Sequence, residues 1–166
     1  MNGLKEYLIP YIISNLLFLL CVMAAVMKPI WARLFLAAVF LWAACVNTRT
    51  ALMHPEMYLE YARLTPVPLY RAFINGYFSQ HIRSFILFIS TGEFLIFVGL
   101  LLANRWVKLA CWGGILFGLA ISPLSVGSAF PATLLMAFSF WILYKKDWHT
   151  TIWNWGQYDQ VNPYIS

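Results

Sequence analysis

The segment STGEFLIF, residues 90–97, sets one carboxylic acid, Glu93, near the middle of an apolar run. On insertion scales a carboxylate at a helix centre is unfavourable by roughly 2.5–3.5 kcal/mol, taking the value for aspartate as a guide. Acids tolerated there face the bundle interior. They pass protons, hydrogen-bond a ligand such as a quinone or lipid-like molecule, or act as polar glue between helices. Read as a helix, Arg83, Ile86, Ser90, Glu93 and Phe97 follow 3-4-3-4 spacing, which puts Arg83, Ser90 and Glu93 on one stripe. That stripe is expected to face protein. Asn47 and Arg49, with Ser14 and Asn15, are the candidate partners of the acid.

A second polar constellation surrounds NTRTALMHPEMYLEY, residues 47–61. Asn47, Arg49, His54, Glu56, Tyr58 and Glu60 crowd one end of an apolar segment, and His81 and Arg83 crowd the start of the next. Both groups fall at the same membrane face and would shape a polar mouth. Such a mouth could take a polar headgroup or a protein partner, or simply anchor the chain at the interface. Two His and two Glu also suit several divalent ions, but no pair has a diagnostic ligand spacing, so no metal is expected. A transmembrane haem pair is disfavoured because His54 and His81 stand at segment ends. His149 is expected to be solvated. Cys21, Cys45 and Cys111 lie in apolar runs without CxxC or zinc spacing and read as small core-filling residues. No GxSxG, P-loop, HExxH or strand-associated GxGxxG is present.

The elements that must position these groups are membrane helices. Of 166 residues 62% are hydrophobic and 10% charged, with mean hydropathy +0.73, against roughly 25% charged in soluble domains. The net charge of +5 reads as Lys and Arg at span ends, meeting lipid phosphates and setting topology, and not as a nucleic-acid footprint. The expected fold is all-α: one integral membrane domain of about five spans. They are placed at about 7–27, 31–53, 82–102, 107–124 and 130–144, with an interfacial segment at 54–81 and an interfacial tail at 145–166. The first run is read as a retained helix, since it lacks an A-x-A-like cleavage pattern. Arg33 and Arg49 are expected near the two interfaces, where long cationic side chains snorkel, or, for Arg49, toward a protein interior. Between residues 54 and 81, Pro66 and Pro68 divide two short amphipathic helices. The run from Val107 to Tyr144 is 38 residues long, about 57 Å as one helix. SPLSVGSAFP at its middle is expected to fold it into a hairpin. Ala110, Gly114, Gly118 and Ser122 form a small-xxx-small ladder that admits a close helix, either within this chain or on another subunit. Charge distribution favours a cytoplasmic C-terminus, although four arginines in and around the 54–81 connection pull the other way.

From residue 31 to about 145 the chain resembles the DoxX/DoxD-like family of small bacterial membrane proteins. The resemblance rests on HPEMYLEYA after a helix, a Pro-containing connection, and GEFLIFVGLLLANRW with its membrane Glu and basic turn. It implies a four-helix core, to which the first span is additional, and a multi-pass protein of the bacterial cytoplasmic membrane. It also implies association with oxidoreductase systems, some of them quinone-linked. Glu93 matches the family's membrane acid. The expected function is a small subunit or partner of a membrane-bound oxidoreductase system, with quinone as the possible cofactor and other membrane subunits as partners. The alternatives are a non-catalytic scaffold, or a lipid or small-solute binding or transport protein.

Overall fold

The computed structural model describes residues 8–157. Among them the chain is helical, and no strand occurs. Helix α1 runs Leu8–Met27 and α2 Pro29–Met53. A 3-10 helix Pro55–Glu60, helix α3 Tyr61–Leu64, helix α4 Pro68–Phe73 and a π turn Ile74–Phe78 make up the connection. Helix α5 spans Ile82–Leu101, α6 Arg105–Ile121 and α7 Ala132–Tyr144. Helices α1, α2 and α5, and α6 together with the start of the 3-10 stretch after it (Arg105–Ser125), are each long and apolar enough to cross a membrane. The fifth expected span is α7, apolar but only 13 residues long. The 3-10 stretch Ser122–Ser128 joins it to α6 and makes the expected hairpin.

Proline sets several boundaries. Pro29, Pro55 and Pro68 each occupy a first turn, where a missing N–H leaves no bond unmade and φ is already helical. Outward faces are apolar throughout. Phe88 is 80% exposed and Trp42 67%, and the best 18-residue window of α1 is only 11% buried. Water would not tolerate that surface and lipid would, so the chain is read as an integral membrane protein.

Helix α2 packs mainly on α5, and α7 packs on both α6 and α1. The small-residue ladder is spent inside this chain. A Cβ on Gly114 would lie 2.3 Å from the Phe140 ring, and one on Gly118 would lie 2.8 Å from the Thr133 carbonyl oxygen. Ala110 packs on Gly99 of α5, and Ser122 bonds Thr133 at 3.0 Å. The neighbour that the ladder admits is therefore α7, with α5 at its Ala110 end.

Two expectations fail in this framework. Arg33 does not snorkel. It is completely buried, donates to the Leu100 carbonyl at 2.6 Å and to the Leu102 carbonyl, reaches Thr150 O at 3.4 Å, and lies 4.7 Å over the Trp148 ring. Those carbonyls end α5, where the helix dipole is negative and acceptors lack intrahelical donors, so the buried cation is matched. Trp148 belongs to the expected interfacial tail, yet it too is buried, with its indole N–H on Leu143 O at 2.8 Å. His149 is exposed, as expected. The end of the tail, residues 158–166, lies outside the described residues, as do residues 1–7. The second correction is Cys45, which is exposed on α2, whereas Cys21 and Cys111 are core residues.

In the connection, several large apolar side chains face outward. Met57, Leu69 and Tyr77 are exposed. Tyr58, Ala62, Ile74 and Phe78 instead form a buried cluster with Ala51 of α2 and Ile86 of α5. Two hydrogen bonds tie the connection to α6 and the stretch after it, and a third holds it together within. Tyr70 donates to Ala120 O and Thr65 to Pro123 O, each at 2.7 Å, and Arg71 clamps Thr65 O at 3.0 Å.

Candidate functional site

Glu93 lies about 16 Å along α5 from its start and is 1% exposed. Of the stripe expected to face protein, Ile86, Ser90 and Glu93 are buried, whereas Arg83 at its start is exposed. Its partner is Asn47. The amide nitrogen Nδ2 donates to Oε1 at 2.9 Å and to Oε2 at 2.8 Å. The amide oxygen Oδ1 accepts from the Tyr58 hydroxyl at 2.8 Å. An inward stripe of α5, one turn of α2 and the first turn after α2 thus meet in a three-residue chain.

Asn47 is held with both ends of its amide used, so its orientation is fixed from both sides. An amide has no readily exchanged proton to hand along, so Tyr58–Asn47–Glu93 positions the carboxyl and is no proton wire. Among the described residues the carboxyl receives one donor group, the Asn47 amide. It retains acceptor capacity when ionised and an O–H to donate when protonated. Among the described residues no Lys, Arg or His lies within ion-pairing distance of it.

The spare capacity faces a cavity of about 500 Å³, bounded by Glu93, Asn47 and Tyr58 on one side. Phe40 and Phe117 line it as an edge-to-face pair with centroids 5.6 Å apart. Tyr61 and Tyr70 of the connection line it as well. The volume falls within the usual range for small-molecule sites, and apolar walls with a few convergent polar groups are their usual composition. Gly127 lies against the Tyr61 ring, which a Cβ there would approach to 2.4 Å. The site is thus roofed by residues 55–78, the segment tied to α6 and its 3-10 extension.

The other sequence-marked residues divide. Ser90 donates to Ala44 O at 2.8 Å and pairs with Thr48 at 2.5 Å, binding α5 to α2 beside the site. Arg49 is exposed and lines a different groove, on the other side of the helix pair. His54 and Glu56 form an exposed pair at 3.6 Å. His81 stacks on Tyr77 with centroids 4.6 Å apart, and Arg83 donates to Ala51 O at 3.3 Å. Arg49, His54, Glu56, His81 and Arg83 do not line the cavity; of the residues expected at the polar mouth, Asn47 and Tyr58 reach the acid. Ser14 lines the cavity but bonds its own helix at Pro10 O, and Asn15 donates to Tyr11 O and Ala129 O. No group of three or more His, Cys, Asp or Glu that could hold a metal occurs among the described residues. Sequence reasoning missed Tyr61 and Tyr70 as wall residues. Their signal was aromatic content in an amphipathic connection.

No protein-family model, curated protein or solved structure matches the chain.

Proposed function

We propose that the chain binds a lipophilic small molecule with a hydrogen-bonding head, of the quinone class, and serves as a small subunit or partner of a membrane-bound oxidoreductase system. The carrying observation is a carboxyl group, buried with no cation beside it among the described residues, on the wall of an aromatic-lined cavity. The resemblance of residues 31–145 to the DoxX/DoxD-like family points the same way. A quinone suits this donor set: its flat ring matches the Phe40 and Phe117 walls, and its carbonyl oxygen takes a proton donor. Bound, it would supply two-electron redox chemistry to the partner. Glu93 orients the head and holds a proton facing it, Asn47 fixes the carboxyl, and Tyr58 fixes Asn47.

The proposed setting is the bacterial cytoplasmic membrane with the C-terminus in the cytoplasm. Lys28, Arg105, Lys108, Lys145 and Lys146 gather at the end where α1, α5 and α7 stop, which the positive-inside rule assigns to the cytoplasm.

The test is gentle solubilisation followed by mass spectrometry of extracted small molecules and of copurifying proteins. A stoichiometric quinone with redox subunits, lost from Glu93→Gln protein, is expected. Recovery of bulk phospholipid alone would overturn the reading.

A further inference from the structure

A second hollow, of about 770 Å³, runs between α2 and α5 from Arg49 and Met53 at one end to Leu41 and Phe94 at the other. It shares no lining residue with the Glu93 cavity. Helical periodicity puts Leu41, Thr48 and Leu52 on the face of α2 opposite Ala43 and Asn47. Leu41 to Met53 covers about 18 Å of rise, a little over half the roughly 30 Å hydrocarbon thickness. The groove is therefore about one leaflet deep.

Its polar walls are already satisfied. Thr48 and Ser90 bond each other, Ser90 also reaches Ala44 O, and Thr91 donates to Leu87 O at 2.8 Å. An acyl chain would meet no orphan hydroxyl there. Arg49 differs: it is exposed, stands one turn from the end of α2, and makes no hydrogen bond or ion pair among the described residues. A guanidinium presents a planar fork that matches a phosphate bidentately.

We infer that this groove is a binding site for an anionic phospholipid, with one acyl chain between α2 and α5 and the phosphodiester on Arg49. The proposal stands apart from the quinone reading, because no residue is common to the two sites.

The full chain in detergent, stripped of lipid, would be titrated with phosphatidylglycerol or with phosphatidylcholine and followed by native mass spectrometry. Phosphatidylglycerol is expected to bind more tightly. Arg49→Gln should weaken it by about five- to tenfold, the worth of one cation near a membrane surface. Phosphatidylcholine, whose phosphodiester is offset by its choline cation, should lose less, and Arg49→Lys should keep part of the preference. Leu41→Trp, which fills the deep end of the groove without touching the charge, should weaken both lipids. Equal affinity for the two lipids, or phosphatidylglycerol binding indifferent to Arg49→Gln, would overturn the proposal. So would oleate outcompeting phosphatidylglycerol, which would make the occupant a free carboxylate. Helical content by circular dichroism separates these outcomes from misfolding.

Discussion

Arg33 and Glu93 are both ionisable side chains cut off from solvent on the α2·α5 pair, and the protein treats them in opposite ways. Arg33 is turned wholly to protein: each nitrogen of its fork reaches a carbonyl, at the end of α5 or on Thr150, and its face lies on Trp148. Glu93 is left with one amide donor and a cavity. A buried group whose partners are backbone carbonyls and a packed ring holds structure. One whose position is fixed and whose remaining valences face empty space is available to something that arrives later. The contrast separates lock from site more sharply than burial does, since both residues are equally hidden.

The largest expected effect lies on the lock. Arg33→Met leaves the Leu100 and Leu102 carbonyls without their donor and Trp148 without its cation. It should lower stability by about 3 kcal/mol, at one to two charge-assisted hydrogen bonds, read as a fall in thermal midpoint in detergent. Gly114→Ala tests the same dry region from the side of the helix ladder. A methyl pressed toward Phe140 should cost about 1–3 kcal/mol, as overpacking does, with no change in ligand content beyond that due to unfolding. At the site the pattern should invert. Glu93→Gln keeps shape and can still accept from Asn47, so its stability change should stay within about 1 kcal/mol. Retention of the extracted quinone should nonetheless fall by about tenfold, or 1.4 kcal/mol. A Glu93→Gln protein as crippled in stability as Arg33→Met would erase the distinction. Tyr58→Phe removes one hydrogen bond from Asn47 and should cost about 1 kcal/mol, with a smaller loss of ligand than Glu93→Gln.

The remaining prediction is a pH dependence. Burial, reinforced by the neighbouring Tyr61, pushes the Tyr58 phenol from 10.0 up to about 12. The folded state thus holds this proton more tightly than the unfolded one. The associated stabilisation is complete below pH 10 and is lost as pH rises toward about 12. The thermal midpoint should fall more steeply across that window in the parent protein than in Tyr58→Phe.

Much of this arrangement is legible in one dimension. The 3-4 spacing around Glu93 aims it inward because a helix repeats on that period, and Asn47 is its partner because the connection returns α5 alongside α2. The glycine ladder announces a close neighbour but leaves its identity open, and α7 supplies it. Arg33 is illegible for a definite reason. Its partners stand 67 to 117 residues away in sequence, and nothing near it distinguishes an arginine that snorkels from one that caps a distant helix. His54, Glu56 and His81 fail differently: adjacency at one membrane face brought them together in sequence, but the 3-10 turn after α2 carries His54 and Glu56 outward while Tyr58 turns in. Met57, Leu69 and Tyr77 show the same ambiguity, since in a bilayer an apolar stripe can satisfy lipid as well as core.

Arg33 also has a place in the order of synthesis. The ribosome makes it early, while Trp148 and Thr150 are among the later residues to emerge, so the charge enters the membrane before its cover exists. A chain stopped after Asp147 would still carry α1 to α7, yet would leave that cation without Trp148 over its face and without Thr150. Closure of the α2·α5 joint therefore waits on residues made well after both of its helices.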